Sequence, residues 1–128
     1  ANVDRFALQQ GRIAQTAEGI QWEPYSEETV ARARLEGKPL FIDFTAAWCI
    51  TCQANERVAL NSGDVRDAFR EQGIRAFKAD WTSRDPAITK ALARYGRNCV
   101  PLYVLYSGRP GEPPKILPEI GKKLFGSS

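Results

Sequence analysis

The stretch from Phe41 to Glu56, "FIDFTAAWCITCQANE", contains two cysteines in a spacing typical of reactive or metal-binding sites. Cys49 and Cys52 are separated by two residues, after an apolar run and before a helical pattern. Three kinds of site use such a pair: a metal site, a structural disulfide, and a redox pair that opens and closes.

The first two interpretations are weak. Structural zinc sites usually need four Cys or His ligands, whereas this chain has three cysteines and no histidine. Zinc would require Cys49, Cys52, Cys99 and a carboxylate. A purely structural disulfide across so short a loop would remove little entropy from the unfolded chain. A redox pair is therefore favoured, with no metal and no cofactor beyond its own disulfide.

The position of the pair fits redox chemistry. Cys49 falls at the predicted N-terminus of a helix, where unpaired N–H groups and the helix dipole stabilise a thiolate. Cys52 falls one turn further in, close enough to bond to Cys49 and better shielded. Cys49 is the predicted attacking thiol and Cys52 the resolving thiol.

The amino-acid composition limits the possible fold and function of the chain. The chain has 128 residues, 43% of them hydrophobic and 26% charged, which indicates one soluble globular domain. Its net charge of +3 is spread along the chain, so nucleic acid binding is not expected. No apolar run approaches the ~18 residues of a membrane span. The absence of histidine removes the commonest general base.

Periodicity and punctuation predict strand, helix, strand, helix, helix, strand, helix, strand, strand. Ser26 and Asp85 are predicted N-caps, and a helix is predicted from Ile50 to about Leu60. The apolar run "PLFIDF" predicts a buried strand that carries one acid, Asp43. Such alternation indicates an α/β sandwich with a largely parallel sheet, a late antiparallel hairpin, and "PPKILPEI" as an edge strand.

We predict a lead-in or linker over residues 1–21, the domain over 22–120, and a tail or expression remnant over 121–128. The chain contains no methionine. It is therefore expected to be a processed piece of a longer protein.

"DFTAAWCITC" resembles the thioredoxin superfamily motif in its apolar strand, in an Asp six residues before the first Cys, and in the Trp directly before that Cys. "CVPLYVLY" resembles the loop in which that family places a cis-proline opposite the dithiol. The resemblance covers roughly residues 22–119. It implies a three-layer sandwich, a central mixed sheet flanked by helices, with Pro101 cis and the backbone of Val100 facing the substrate.

Within that superfamily, "FTAAWCITCQANE" most resembles the C-terminal periplasmic domain of DsbD-type and ScsB-type transmembrane thiol:disulfide reductases. Their pattern pairs an Asp before the motif with a Glu four residues after the second Cys, here Asp43 and Glu56. The resemblance implies a periplasmic domain of a bacterial inner-membrane protein. Its partners would be an upstream cysteine pair in the membrane, other domains of the same protein, and oxidised thioredoxin-like periplasmic proteins.

One feature departs from that pattern: the C-terminal helix expected after "LPEI" is missing from the sequence. Either it is trimmed or this end packs differently. The isolated domain is expected to be a monomer.

The two acids have roles that follow from electrostatics. A buried carboxylate near a thiol pair raises the thiol pKa and can accept the proton that Cys52 loses. Asp43 and Glu56 would in this way keep Cys49 less reactive until a partner protein covers the site. The alternatives are a buried Asp43 satisfied by backbone N–H groups and a solvated Glu56 on a helix surface.

The remaining candidates surround the pair. Trp48 is predicted to shield the dithiol and to offer partners a flat apolar contact, although it also suits a core position. Ile50 and Thr51 would tune the site without adding charge. Cys99 is expected to be a small buried hydrophobe rather than a reactive thiol.

Three functions are compatible with these residues. The favoured one is a disulfide reductase that passes electrons from a membrane-embedded cysteine pair to oxidised periplasmic proteins. A Cu(I) chaperone would use the same two thiolates, but no His or Met ligand accompanies them. An oxidase or isomerase would run the exchange in the opposite direction, and the sequence does not fix the redox potential.

Overall fold

The computed structural model describes residues 20–60 and 62–117. Their order of elements matches the predicted one. The strands are β1 (Trp22–Pro24), β2 (Leu40–Thr45), β3 (Arg75–Asp80), β4 (Leu102–Tyr106) and β5 (Lys115–Leu117). The helices are α1 (Glu27–Leu35), α2 (Ile50–Asn55), α3 (Gly63–Gln72) and α4 (Pro86–Arg94), with a π-helical segment at Glu56–Leu60 between α2 and α3.

The five strands form one mixed sheet in the order β1-β3-β2-β4-β5. β3 is parallel to both β1 and β2, whereas β2–β4 and β4–β5 are antiparallel pairs. This arrangement confirms the parallel half, the late antiparallel hairpin and the edge position of β5. The predicted tail at 121–128 and nearly all of the 1–21 lead-in lie outside the described residues and stay predictions.

Helices cover both faces of the sheet and confirm the three-layer sandwich. α1 and α4 pack with Ile42 and Phe44 on one face. α3 and the π-helical segment pack with Phe41 and Tyr103 on the other. Because side chains alternate along a strand, Asp43 lies on the same face as Phe41.

The helix signals in the sequence act as predicted. The Ser26 hydroxyl accepts the Thr29 N–H at 3.0 Å, and the Asp85 carboxylate accepts the Ala87 N–H at 2.7 Å. Gly73 ends α3 with a φ of 65°, a left-handed conformation that glycine adopts without a steric cost.

The helix predicted from Ile50 to about Leu60 is present, but it is not regular. α2 ends at Asn55, and residues 56–60 form a π-helix. A π turn is wider than an α turn, so the angle between successive side chains changes. Ala59 and Leu60 are buried in consequence, whereas Val58 is 64% exposed. Glu56 lies at the start of the π-helical segment, and π turns frequently occur at functional sites.

Candidate functional site

Cys49 and Cys52 are joined in a disulfide at the N-terminus of α2, with their Cα atoms 5.2 Å apart. Cys49 is the N-cap of that helix, and its Sγ accepts the backbone N–H of Cys52 at 3.1 Å. Cys49 is 8% exposed and Cys52 is fully buried. A partner can therefore reach the first sulfur more easily than the second.

A tight turn brings the end of β2 to this helix. The Ala46 carbonyl accepts the Cys49 N–H at 3.1 Å and the side-chain amide of Gln53 at 3.0 Å. One carbonyl thus binds both Cys49 and a residue of the first turn of α2, and this fixes Cys49 at the start of the helix. The positioning predicted from the strand-to-helix pattern is observed.

The predicted substrate-contact residues surround the disulfide unevenly. Ile50 is 84% exposed, Trp48 is 44% exposed and Thr51 is also exposed, whereas the side chain of Val100 is largely buried. The peptide bond from Val100 to Pro101 is cis, as the family resemblance implies. That these five residues contact a substrate remains a prediction.

Asp43 is completely buried on β2, and neither of its carboxylate oxygens accepts a backbone N–H group of a described residue. Burial raises the pKa of Asp43 well above its ordinary value. The neighbouring Glu56 carboxylate raises this pKa further, and the Lys78 ammonium lowers it. The structure therefore brings Asp43 and Glu56 together, and the alternative of an Asp43 satisfied by backbone N–H groups is not observed.

Glu56 is not a solvated surface residue. Its side chain is 21% exposed, and its carboxylate lies 3.7 Å from Lys78 Nζ. The same ammonium lies 4.8 Å from the centre of the Trp22 ring, a cation–π distance. Lys78 is thus held between an acid and an aromatic face, on a strand directly beside Asp43.

Sheet register explains why these groups meet. Asp43 of β2 is paired with Lys78 of β3 on one side and Tyr103 of β4 on the other, and directly paired residues point to the same face. The Asn55 side-chain amide donates to the Tyr103 hydroxyl at 2.9 Å. A polar layer thus runs from the buried Asp43, Tyr103 and Asn55 to the partly exposed Lys78 and Glu56.

The sequence reasoning missed three members of this layer. The position of Lys78 could have been predicted from the sequence, because Lys78 lies on the same face of its strand as the buried Ala76. The contact between Asn55 and Tyr103 could not, since these residues are 48 positions apart and meet only through the packing of α2 on β4.

The loop after β3, residues 81–85, braces the segment before Cys49. The Thr82 hydroxyl accepts the Ala47 N–H at 2.8 Å, and the Thr82 carbonyl accepts the Trp48 indole N–H at 3.1 Å. The Arg84 guanidinium lies 4.9 Å from the ring centres of both Trp48 and Trp81. Trp48 is therefore anchored by its edge and covered on one face, yet remains partly exposed.

The prediction that Cys99 is buried is wrong. Its thiol is free and exposed. Cys99 lies in the connection between α4 and β4, and such connections run over the surface. The preference of cysteine for burial is a tendency of the residue type, and here chain position overrides it.

Two properties of the described residues bear on other functions. Among residues 20–60 and 62–117, no three His, Cys, Asp or Glu side chains are grouped closely enough to hold a metal ion. Within the same residues, no helix combines the length and the apolar character needed to cross a bilayer.

Comparison with known proteins gives relatives among the thiol:disulfide interchange proteins. The chain is 36% identical over 69 residues to thiol:disulfide interchange protein DsbD 1 of Pseudomonas aeruginosa. It is 32% identical over 73 residues to the DsbD protein of Ralstonia nicotianae. These alignments cover 54% and 55% of this chain but only 11% and 12% of the relatives, so the chain spans about a tenth of their length.

Solved structures agree on the fold. The reduced C-terminal domain of Neisseria meningitidis DsbD superposes with a TM-score of 0.59 at 24% identity, over 74% of this chain and 85% of that one. A thioredoxin from Thermus thermophilus also has a TM-score of 0.59, at 18% identity over 78% of this chain and 73% of that one. The sequence model of the thioredoxin-like family matches residues 21–108. The chain belongs to the thioredoxin-like family.

Proposed function

We propose that this domain is a thiol:disulfide reductase of the periplasm. It would receive electrons from a membrane-embedded cysteine pair of the same protein and pass them to oxidised thioredoxin-like partner proteins. The named relatives are thiol:disulfide interchange proteins, which supports exchange between thiols and disulfides as the reaction.

One observation carries the proposal: the Cys52 N–H points at Cys49 Sγ from 3.1 Å while Cys52 itself is fully buried. An N–H donor favours the negatively charged form of the sulfur that accepts it. The sulfur that forms the better thiolate is thus also the one that retains exposure. This asymmetry suits one attacking thiol and one resolving thiol.

The exchange proceeds in two steps. The Cys49 thiolate attacks one sulfur of the partner's disulfide, so that a Cys49–partner disulfide forms and the other partner sulfur leaves as a thiolate. Cys52 then loses its proton and attacks Cys49 Sγ, which closes the Cys49–Cys52 disulfide and releases the second partner sulfur. Two electrons have moved to the partner, whose two sulfurs leave as thiolates and take up protons from Cys52 and from solvent. A dithiol donor restores the reduced pair by the reverse exchange.

The two acids regulate these steps in our proposal. Ionised Asp43 would disfavour a thiolate nearby, and Glu56 makes Asp43 harder to ionise. A carboxylate in this position can accept the proton of Cys52 when the second step begins. The pair would then remain less reactive until a partner covers the site.

Cysteine variants test the proposal. All are made in a Cys99→Ser background, because the exposed Cys99 thiol would form disulfides of its own. With a disulfide-containing probe protein, Cys52→Ser should accumulate a mixed disulfide through Cys49, detectable as an added mass that a reductant removes. Cys49→Ser should form no such species and should have lost exchange.

Equal trapping by both variants would contradict the assignment of roles. The Cys99→Ser protein with both active-site cysteines is the matched control and should exchange fully. A strongly oxidising equilibrium with glutathione would instead indicate an oxidase or isomerase. Stoichiometric binding of Cu(I) without any exchange would indicate a copper chaperone.

A further inference from the structure

The rim of the site carries an exposed cation that the exchange reaction does not use. Arg84 is exposed, and its guanidinium covers the indole rings of Trp48 and Trp81 at 4.9 Å from each. Trp48 directly precedes Cys49. The positive charge is therefore held over the ring of the residue that immediately precedes the attacking cysteine in the chain.

The guanidinium remains available to a ligand. Within residues 20–60 and 62–117, no ion pair involves Arg84. The acids nearest in sequence are engaged elsewhere: Asp85 accepts the Ala87 N–H as a helix cap, and Asp80 accepts both the N–H and the hydroxyl of Thr82. Stacking uses the faces of a guanidinium and leaves its in-plane N–H donors for a carboxylate.

The backbone holds Arg84 in place at some cost. Its φ is 55°, and it is the only non-glycine residue of the described part of the chain with a positive φ. An arginine rarely adopts this left-handed conformation. The loop maintains it because the Arg84 N–H donates to the Trp81 carbonyl at 2.9 Å, while Thr82 binds Ala47 and Trp48.

Apolar side chains complete the surface. Five large hydrophobic side chains of the described residues are exposed, and two of them, Trp48 and Ile50, directly flank Cys49. We name Trp48, Ile50 and Arg84 the rim. It combines two apolar side chains with one cation that pairs with no acid of residues 20–60 and 62–117, and two of its three members are sequence neighbours of Cys49.

We propose that Arg84 selects partners, binding proteins that place a carboxylate side chain next to the disulfide to be reduced. The inference rests on the proposed function and names the class of partner for it. Trp48 and Ile50 would contact the apolar surface around that disulfide, and the Arg84 guanidinium would pair with the carboxylate.

Three probe peptides test this selection. Each contains the same small disulfide-closed loop, flanked by Glu, Gln or Lys, and each is mixed with the reduced domain in the Cys99→Ser background. The parent protein should reduce the Glu peptide faster than the Lys peptide. Arg84→Gln should lower this rate ratio about fivefold, the most that an exposed ion pair generally contributes. Arg84→Lys should keep most of the ratio, and Arg84→Glu should invert it.

Two controls separate charge recognition from structural effects. Arg70→Gln removes the same charge from α3, whose C-terminal end leads to the opposite end of β3, and should leave the ratio unchanged. Raising the salt concentration from about 0.1 M to 1 M shortens the screening length from about 10 Å to 3 Å and should reduce the ratio of the parent protein.

The outcomes distinguish the two proposals. If Arg84→Gln slows the Glu, Gln and Lys peptides equally, Arg84 only holds Trp48 in place and the selection is refuted. If the ratio equals one in the parent protein, the selection is also refuted, although exchange itself stands. If even the Gln peptide is not reduced, the proposed reductase function fails and the inference fails with it.

Discussion

The burial of Asp43 makes the stability of this domain depend on pH in a way that one substitution should remove. Asp43 is fully buried, and its pKa lies well above the ordinary value of 3.8, first because of desolvation and then because of Glu56. At pH values between these two pKa values, the folded protein holds a proton on Asp43 that the unfolded chain has lost.

The sign and size of the effect follow from this difference of one proton. The free energy of unfolding changes with pH in proportion to the protons bound by the unfolded state minus those bound by the native state, here minus one. Stability therefore falls as pH rises above 3.8, with a maximal slope of about 1.4 kcal/mol per pH unit. The free energy of unfolding stops falling once the pH exceeds the raised pKa of Asp43 in the folded state, because Asp43 is then ionised in both states.

Asp43→Asn should abolish this component because an amide does not titrate in that range. Its side chain is still polar and fully buried, so a burial cost of about 1–3 kcal/mol persists at every pH. The assay is urea unfolding of the oxidised protein at a series of pH values. The quantity of interest is the parent's unfolding free energy minus that of the variant, which should decline as pH rises.

Two further variants sharpen the test. Glu56→Gln removes a charge that raises the pKa of Asp43, so the decline should end at a lower pH than in the parent. Asp64→Asn alters an exposed acid in the first turn of α3 and should leave the parent's pH dependence intact. If the curves of the parent and Asp43→Asn run parallel throughout, the claim that burial holds a proton on Asp43 is refuted.

Two other predictions concern the same polar layer. In the reduced protein, Asp43→Asn should lower the pKa of Cys49, because no carboxylate charge then opposes the thiolate; an unchanged ultraviolet thiolate titration would count against gating. Tyr103→Phe removes the acceptor of the Asn55 amide and should lower the free energy of unfolding by about 1 kcal/mol. Combined with Asn55→Leu, it should cost less than the sum of the two single changes, and additive costs in urea unfolding would contradict this coupling.

The sequence by itself predicted most of the fold. Caps such as Ser26 and Asp85 act within a single turn of helix, so their hydrogen bonds involve residues two or three positions away. The order of strands and helices likewise follows from local periodicity. Even the setting of Cys49 at a helix N-terminus is local, since a strand, a turn and a helix in succession create it.

The π-helical segment shows where local patterns become insufficient. The apolar spacing between Ile50 and Leu60 is compatible with a regular helix, yet the chain widens after Asn55. Helix packing against the sheet selects Ala59 and Leu60 for burial and leaves Val58 exposed. The sequence pattern alone does not show how this helix packs against the sheet.

What surrounds the cysteine pair was decided by tertiary structure. Lys78 faces Asp43 only because β2 and β3 pair in one register. Arg84 covers Trp48 across 36 positions of sequence, since the loop after β3 folds back onto the turn before Cys49. Local chemistry thus predicts which residues exchange electrons. The charges and rings around them depend on contacts between distant segments, whose energies appear only when the sheet is assembled.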